Sequence, residues 1–115
     1  MPTLRIDTNV ANDAVPDGFL VTLTDLVARL VGKDKRYVCI HLNSGQRMTF
    51  GGSTDPCAVM SLESIGKISA DENRRYCPEL TEAVHNALGI SPTRIYVNFH
   101  DRPRHEVGNN GGLFG

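Results

Sequence analysis

The residue with the clearest chemical potential in this sequence is the proline in second position. Removal of Met1, which is usual before a small second residue, would leave Pro2 with a free secondary amine on a rigid ring. Such an amine acts as a general base, or forms an iminium adduct with a carbonyl compound, when its protonated form is disfavoured. The alternative is an ordinary second residue, and a retained Met1 would hold the Pro2 nitrogen in an amide.

Three further polar residues have types and positions that suit a site. Lys33 follows Gly32, at the end of a predicted helix. A cation there ordinarily complements the helix dipole, but it would also attract an anion and lower the pKa of a nearby amine. Tyr96 and Asn98 are two residues apart in a predicted strand and therefore share one side of the sheet. That pair is either ordinary sheet polarity or part of a binding site.

The elements that must position these residues follow from the spacing of apolar side chains. Alternation predicts a first strand over 2–8, and apolar residues at three- and four-residue steps predict a helix over 19–31. A capping box at Ser69–Glu72 predicts a second helix, which ends at Gly89 and kinks or restarts at Pro78. The other predicted segments are strands over 37–42, 47–50, 57–65 and 95–99, and a glycine-rich tail over 107–114.

The two halves of the chain resemble each other. A shift of 57 residues superposes 23–33 on 80–90 with identical Leu, Thr, Val and Gly positions. We therefore predict one domain over 1–115, built from two β-α-β halves of about 1–57 and 58–115. Right-handed crossovers place both helices on one face of the sheet. The predicted fold is an α/β (α+β) two-layer sandwich with a four-stranded mixed sheet, two helices and short edge strands.

The sheet face without helices suggests association. We place Val38, Ile40, Val59 and Ile65 on that open face, among other apolar or small residues. A large exposed apolar surface usually marks an interface, so we expect an oligomer whose stoichiometry this argument leaves open.

Composition excludes several functions. The 115 residues carry a net charge of −1, which gives no basic footprint for nucleic acid, and no apolar run is long enough to span a membrane. The N-terminus lacks the pattern of a secretory signal. Cys39, Cys57 and Cys77 are odd in number and lack metal-ligand spacing, so we expect reduced thiols, no metal site and a cytoplasmic location.

Over essentially its whole length the sequence resembles the macrophage migration inhibitory factor and D-dopachrome tautomerase family of the tautomerase superfamily. Each motif is weak alone, but their order and spacing are highly specific. The motifs are Met-Pro at 1–2, Asp7-Thr8-Asn9, Val15 to Leu20, Gly32-Lys33, Phe50 to Ser53, Pro56-Cys57-Ala58, Ser64 to Ile68, Asn73-Arg74, Ile90-Ser91-Pro92, Arg94 to Asn98 and Val107-Gly108. The segment Phe50-Gly51-Gly52 and the pair Tyr96 and Asn98 are closer to the migration inhibitory factor branch.

The resemblance implies a homotrimer with active sites between subunits and cofactor-free keto–enol tautomerisation of phenylpyruvate-like and D-dopachrome-like substrates. In that reaction Pro2 would be the general base, Lys33 would hold the substrate carboxylate and the backbone N–H of Ile65 would add a donor. Tyr96 and Asn98 would come from the neighbouring subunit. The residues implied to line the pocket are Tyr37, Val107 and Phe114. The resemblance also implies a cytokine role, with non-classical secretion and binding to a CD74-like cell-surface receptor.

Some positions depart from the family pattern. A Cys-x-x-Cys redox motif is replaced by Cys57-Ala58-Val59-Met60, so we predict no dithiol redox activity there and a buried Cys57. Asn109 replaces an aromatic residue expected at the pocket rim, and Glu63 would repel anionic substrates. Two alternatives stay open: a signalling ligand without catalysis, and a non-catalytic ferredoxin-like regulatory module.

Overall fold

A computed structural model describes residues 1–115 as four main strands, two helices and a small hairpin. The strands of the sheet are β1 (Pro2–Thr8), β2 (Cys39–Asn43), β3 (Ala58–Ser64) and β4 (Ile95–Asp101). The helices are α1 (Phe19–Val31) and α2 (Ala70–Leu88), and the hairpin consists of β5 (Gly108–Asn109) and β6 (Gly112–Leu113). Neither helix is both long and apolar enough to cross a membrane.

The sheet has the order β2-β1-β3-β4. β1 pairs with β2 in parallel across α1, and β3 pairs with β4 in parallel across α2. The two units meet through antiparallel pairing of β1 with β3. This arrangement confirms the predicted fold class, a four-stranded mixed sheet made from two β-α-β units.

The core lies between one sheet face and the two helices. Leu4 of β1 lies beside Leu62 of β3, and both are fully buried against residues of α1 and α2. The helices contribute an apolar stripe each, whose most buried members are Leu23, Val27, Tyr76, Leu80 and Val84. Because both helices cover the same face, the other face of the sheet stays open.

The prediction of an apolar open face is wrong for two of its four residues. Ile40 pairs with Leu4, and directly paired side chains share a face, so Ile40 packs on the core, as does Val38. Val59 does lie on the open face, beside Asp7, while Ile65 follows the end of β3. Apart from Cys39 and Tyr96, the other open-face residues of the strands are polar: Thr3, Arg5, Asp7, His41, Asn43, Ser61, Glu63, Asn98 and His100. The apolar argument for association therefore fails.

The helix ends follow local chemistry. The Ser69 hydroxyl accepts a hydrogen bond from the Glu72 N–H at 3.2 Å, which confirms the predicted cap. Gly32 and Gly89 end the helices in the left-handed conformation. α2 continues through Pro78, which is exposed, without restarting there.

Two short segments differ from the prediction. The strand predicted over 47–50 is absent, and only a single bridge joins Phe50 to Ser53. The tail contains a hairpin that we did not predict, although its turn has a known signal. Asn110 and Gly111 both have positive φ, as a two-residue hairpin turn requires.

Candidate active site

The chain forms a cleft with two lobes where β1 begins. Met1, Tyr37 and Phe114 line both lobes. The Lys33 lobe, of about 350 Å³, is completed by Lys33, Ile65 and Arg104. The Arg36 lobe, of about 560 Å³, is lined by the shared residues and by Thr3, Arg36, Val38, Cys39, Glu63, Val107, Gly108 and Asn109. The N-terminus therefore lines two lobes that both contain cationic side chains, Lys33 and Arg104 in one and Arg36 in the other.

Lys33 is placed by the end of α1. Its backbone N–H donates to the Ala28 carbonyl at 3.1 Å, and the turn at Gly32 directs the chain away from the helix. The Lys33 ammonium donates to the Ile65 carbonyl at 2.7 Å and has no carboxylate within 4.0 Å. Burial lowers the pKa of Lys33, and the charges of Lys67 and Arg104 lower it further. The lysine is therefore a cation without a counter-ion at the wall of a cavity.

The terminal amine is beside this cation. Burial lowers the pKa of the α-amine on Met1 below its usual 8.0, and the charge of Lys33 acts in the same direction. Pro2 itself is buried at the start of β1, where it pairs with Ser64. An amine in such a place loses its proton more readily than an exposed one, which is what a base working near neutral pH requires.

The segment that carries Ile65 is held from both sides. The Gly66 N–H donates to the Asp101 carboxylate at 3.0 Å, and the Tyr76 hydroxyl donates to the Lys67 carbonyl at 2.8 Å. Lys67 has a φ of 62°, which is uncommon for a residue with a side chain. These bonds fix the Ile65 carbonyl that receives the Lys33 ammonium.

Three predicted pocket residues meet at the cleft. Tyr37 ends a short 3-10 turn over Lys35–Tyr37, in which the Asp34 carboxylate accepts from the Arg36 N–H at 3.0 Å. The Phe114 N–H donates to the Val107 carbonyl at 3.1 Å, so the end of the tail hairpin lies against the cleft. Tyr37 and Phe114 are 43% and 38% exposed, which makes both rings available to a bound molecule.

Tyr96 is not brought to this cleft within one chain. Pro2 pairs with Ser64, whereas Tyr96 pairs with Val59, five residues along β3. At roughly 3.3 Å per residue and 4.8 Å per strand, the backbone of Tyr96 lies about 17 Å along the sheet and two strands away. Its ring is 62% exposed and contacts the ring of Phe50, with centroids 4.7 Å apart.

Asn98 is on the same far strand. Its side-chain amide donates to the Met60 carbonyl at 3.5 Å. This hydrogen bond is long and weak, so the amide is available to another partner. The loop beside Tyr96 is fixed by Arg94, whose guanidinium donates to the carbonyls at positions 50, 53, 55 and 56. Tyr96 and Asn98 are thus held on a rigid edge, away from the N-terminus of their own chain.

The sequence reasoning missed two cations of the cleft, Arg36 and Arg104. Arg36 directly precedes Tyr37, and Arg104 is three residues before Val107, so their nearness to predicted pocket residues was the available signal. Glu63 does line the cleft, but both its contacts to the Arg102 guanidinium are 3.0 Å long. This pairing offsets part of the repulsion that we expected from Glu63.

The three cysteines differ in exposure, since Cys39 is exposed, Cys57 is buried and Cys77 is half-buried. Cys57 is fully buried just before β3, which confirms the prediction for it, and Met60 is buried within β3. All three cysteines are free thiols. No three side chains among His, Cys, Asp and Glu are grouped to hold a metal ion.

Comparison with known proteins places the chain among relatives of the same length. The family model described as "Macrophage migration inhibitory factor (MIF)" matches residues 1–115. The chain is 46% identical to macrophage migration inhibitory factor of Xenopus tropicalis over 114 residues, which cover 99% of each protein. The structure of macrophage migration inhibitory factor from Trichinella spiralis has a TM-score of 0.95 at 35% identity and covers 96% of this chain and 98% of that one. A homologue from Prochlorococcus marinus has a TM-score of 0.91 at 32% identity, with 98% of this chain and 99% of that one covered. The chain with the amine, the lysine and the aromatic walls of this cleft is therefore a member of the macrophage migration inhibitory factor family.

Proposed function

We propose that the protein is a cofactor-free keto–enol tautomerase of aromatic α-keto acids such as phenylpyruvate, with related D-dopachrome-like compounds as further substrates. The observation that carries this proposal is the partly buried N-terminus, which lines one cavity together with an unpaired Lys33 and the rings of Tyr37 and Phe114. An amine of lowered pKa, a fixed cation and an apolar wall suit a base, a carboxylate and an aromatic group in one substrate. The family supports the same reaction class.

In the proposed mechanism, removal of Met1 frees the Pro2 nitrogen at the boundary of the two lobes. The substrate carboxylate binds the Lys33 ammonium, and the aromatic group lies between Tyr37, Val107 and Phe114. The Pro2 nitrogen takes a proton from the carbon next to the carbonyl, and the enol forms when the carbonyl oxygen takes a proton from solvent. The reverse sequence returns the proton to carbon. The backbone N–H of Ile65 adds a donor near the carboxylate.

The pH dependence of this reaction is a first test. Only the unprotonated amine is a base, so kcat/KM for phenylpyruvate should rise with pH through the amine pKa and reach its plateau at a lower pH than an exposed proline amine would give. Lys33→Gln removes a positive charge, which should raise the amine pKa and move the rising limb to higher pH. The measurement is a pH–rate profile of both proteins.

Lys35→Gln is the matched control, because Lys35 follows the same helix but is 72% exposed and contacts Asp25 at 3.8 Å. Its profile should coincide with that of the unmodified protein. A Lys33→Gln profile whose rising limb does not move would show that Lys33 does not act on the base.

We also propose that the protein is a homotrimer in which the neighbouring copy supplies Tyr96 and Asn98. The distance between these residues and Pro2 within one chain supports this, since a single copy leaves them unable to reach the cleft. The polar open face fits an assembly that surrounds a wet channel.

Mixed trimers test the shared site. Chains with Pro2→Gly and chains with both Tyr96→Ala and Asn98→Ala are refolded together in equal amounts. If each site takes its base and its Tyr96 from different copies, about a quarter of the sites in random trimers are complete, and activity recovers above either variant alone. A mixture no more active than its two separate components would contradict a shared site, and sedimentation gives the number of copies.

A signalling role is the second candidate, supported by similarity to vertebrate macrophage migration inhibitory factors along the whole chain. We propose that the same fold binds a CD74-like cell-surface receptor. Three free thiols suit a reducing cytoplasm as the place of residence, from which the chain would be exported by a non-classical route. The receptor experiment uses the Pro2 variant described in the Discussion.

A further inference from the structure

The Lys33 lobe holds two cations and no anion. Lys33 contacts only the Ile65 carbonyl, and Arg104 makes no salt bridge or side-chain hydrogen bond. Both line the same cavity, and the charge of Arg104 helps to lower the pKa of Lys33. Two unpaired like charges at one small cavity repel each other, and a bound carboxylate between them would relieve that repulsion.

Arg104 is held in this position by the tail. It begins a 3-10 turn over Arg104–Glu106, and its carbonyl accepts from the Val107 N–H at 3.4 Å. Gly115 packs against its side chain so closely that a Cβ on that glycine would come within 2.5 Å of the Arg104 Cβ. The segment that presents Phe114 to the cleft therefore also holds Arg104 there.

The Arg36 lobe has its own cation at the other side of the N-terminus. The Arg36 guanidinium lies over the Tyr37 ring at 4.8 Å, and its only carboxylate contact is a long one of 3.8 Å to Asp34. The remaining acid of this lobe, Glu63, is paired with Arg102. Arg36 is therefore the charge in this lobe that is free to bind an anion.

The terminal amine therefore has cationic side chains in both of the lobes that it lines. In a chain with a net charge of −1, Lys33, Arg104 and Arg36 all line one cleft. A phenylpyruvate-like molecule bound with its carboxylate in the Lys33 lobe would direct its ring along Tyr37 and Phe114 toward Arg36. A purely apolar ring end would leave the Arg36 guanidinium with no anion nearer than the Asp34 carboxylate at 3.8 Å.

We propose that the site prefers aromatic α-keto acids that carry a second anionic group at the far end of the ring, with Lys33 and Arg104 holding the keto-acid carboxylate and Arg36 the second anion. This inference rests on the proposed tautomerase function and specifies its substrate class. Arg36 is a specificity-determining residue, and Arg104 is a second carboxylate-binding residue.

The test compares phenylpyruvate with 4-carboxyphenylpyruvate, which adds one carboxylate at the ring end. The unmodified protein should have the higher kcat/KM for the dianionic substrate. Arg36→Gln should lower the ratio of the two kcat/KM values by up to about fivefold, the upper end of what one solvent-exposed ion pair contributes. Arg36→Lys should keep part of the ratio, because it keeps the charge but not the planar fork. Arg104→Gln should raise KM about tenfold for both substrates, with a smaller change in kcat.

Arg47→Gln is the matched control, since it removes the same charge from an exposed loop outside the cleft. Its ratio should equal that of the unmodified protein. A ratio at or below one in the unmodified protein, or an equal ratio in Arg36→Gln and Arg47→Gln, would overturn the proposal.

A binding measurement separates this inference from the proposed function. Cinnamate and 4-carboxycinnamate have the same ring and carboxylates but cannot tautomerise, and calorimetry gives their dissociation constants. If neither keto acid is converted but 4-carboxycinnamate binds more tightly in an Arg36-dependent way, the tautomerase function fails and the dianion preference stands. If phenylpyruvate is converted but the second carboxylate neither raises kcat/KM nor lowers the dissociation constant, the dianion preference alone fails.

Discussion

Replacement of Pro2 by glycine is expected to lower kcat/KM for enol–keto conversion of phenylpyruvate by about 10²–10⁴-fold, the usual contribution of general acid–base catalysis. Glycine keeps a terminal amine but loses the rigid secondary amine, whose nitrogen is fixed by the ring at the start of β1. The terminal amine lies beside Lys33 in a partly enclosed cleft, and the lowered pKa is of use only if the nitrogen is also correctly placed. The measurement is steady-state kinetics on protein from which Met1 has been removed, and intact mass spectrometry verifies that removal.

Pro16→Gly is the matched control, because Pro16 is exposed and lies outside the cleft. The same chemical change there should leave the rate within twofold or so, since surface changes of this kind have small effects. Equal rates for the unmodified protein and Pro2→Gly would remove Pro2 as the base. Protein that retains Met1 and still converts phenylpyruvate at the full rate would do the same, because the Pro2 nitrogen would then be an amide.

The same Pro2→Gly protein separates catalysis from signalling. A receptor that recognises the outer surface of the fold should bind it with unchanged affinity, measured as equilibrium binding to a CD74-like ectodomain. Absence of binding by both the unmodified protein and the variant would leave the receptor role without support, whatever the kinetics show.

Truncation of Leu62 to alanine is expected to lower the free energy of unfolding by about 2–5 kcal/mol, the range found for Leu→Ala changes in packed cores. Leu62 is fully buried in β3, a central strand, between Leu4 of β1 and Phe99 of β4. Neighbours on both sides and the helices above are fixed by the sheet, so they cannot collapse into the cavity that the change creates. Denaturant unfolding followed by circular dichroism measures the difference.

Val21→Ala is the control for Leu62→Ala. Val21 is an apolar residue of α1 that is 67% exposed, so its truncation should change the free energy of unfolding by less than about 0.5 kcal/mol. Both variants must be compared at one protomer concentration, because an oligomer's stability depends on it. Similar losses in the two variants would contradict the placement of the core on the helix side of β3.

The parts of the fold that depend on residues close together in the chain were predicted correctly from the sequence. The cap at Ser69, the left-handed glycines 32 and 89 and the apolar stripes of the helices each arise from interactions within a few residues. The pairing of two β-α-β halves also followed, because the repeat marks equivalent elements and the crossover rule fixes their handedness. The tail hairpin was missed although its Asn110-Gly111 turn was visible.

The face on which each side chain lies was decided only by the tertiary structure. A shift of one residue along a strand exchanges its two faces, and the sequence did not fix where β2 begins, so Ile40 was placed on the wrong side. The cleft likewise joins residues 33, 36, 65, 104 and 114, whose contacts depend on how the helix end, the turn after β3 and the tail come together. Sequence by itself therefore determined the family, the two helices, the four main strands and the residue that could be a base. The tertiary structure decided which charges surround that base, because electrostatic interactions depend on distances between residues that are far apart in the chain.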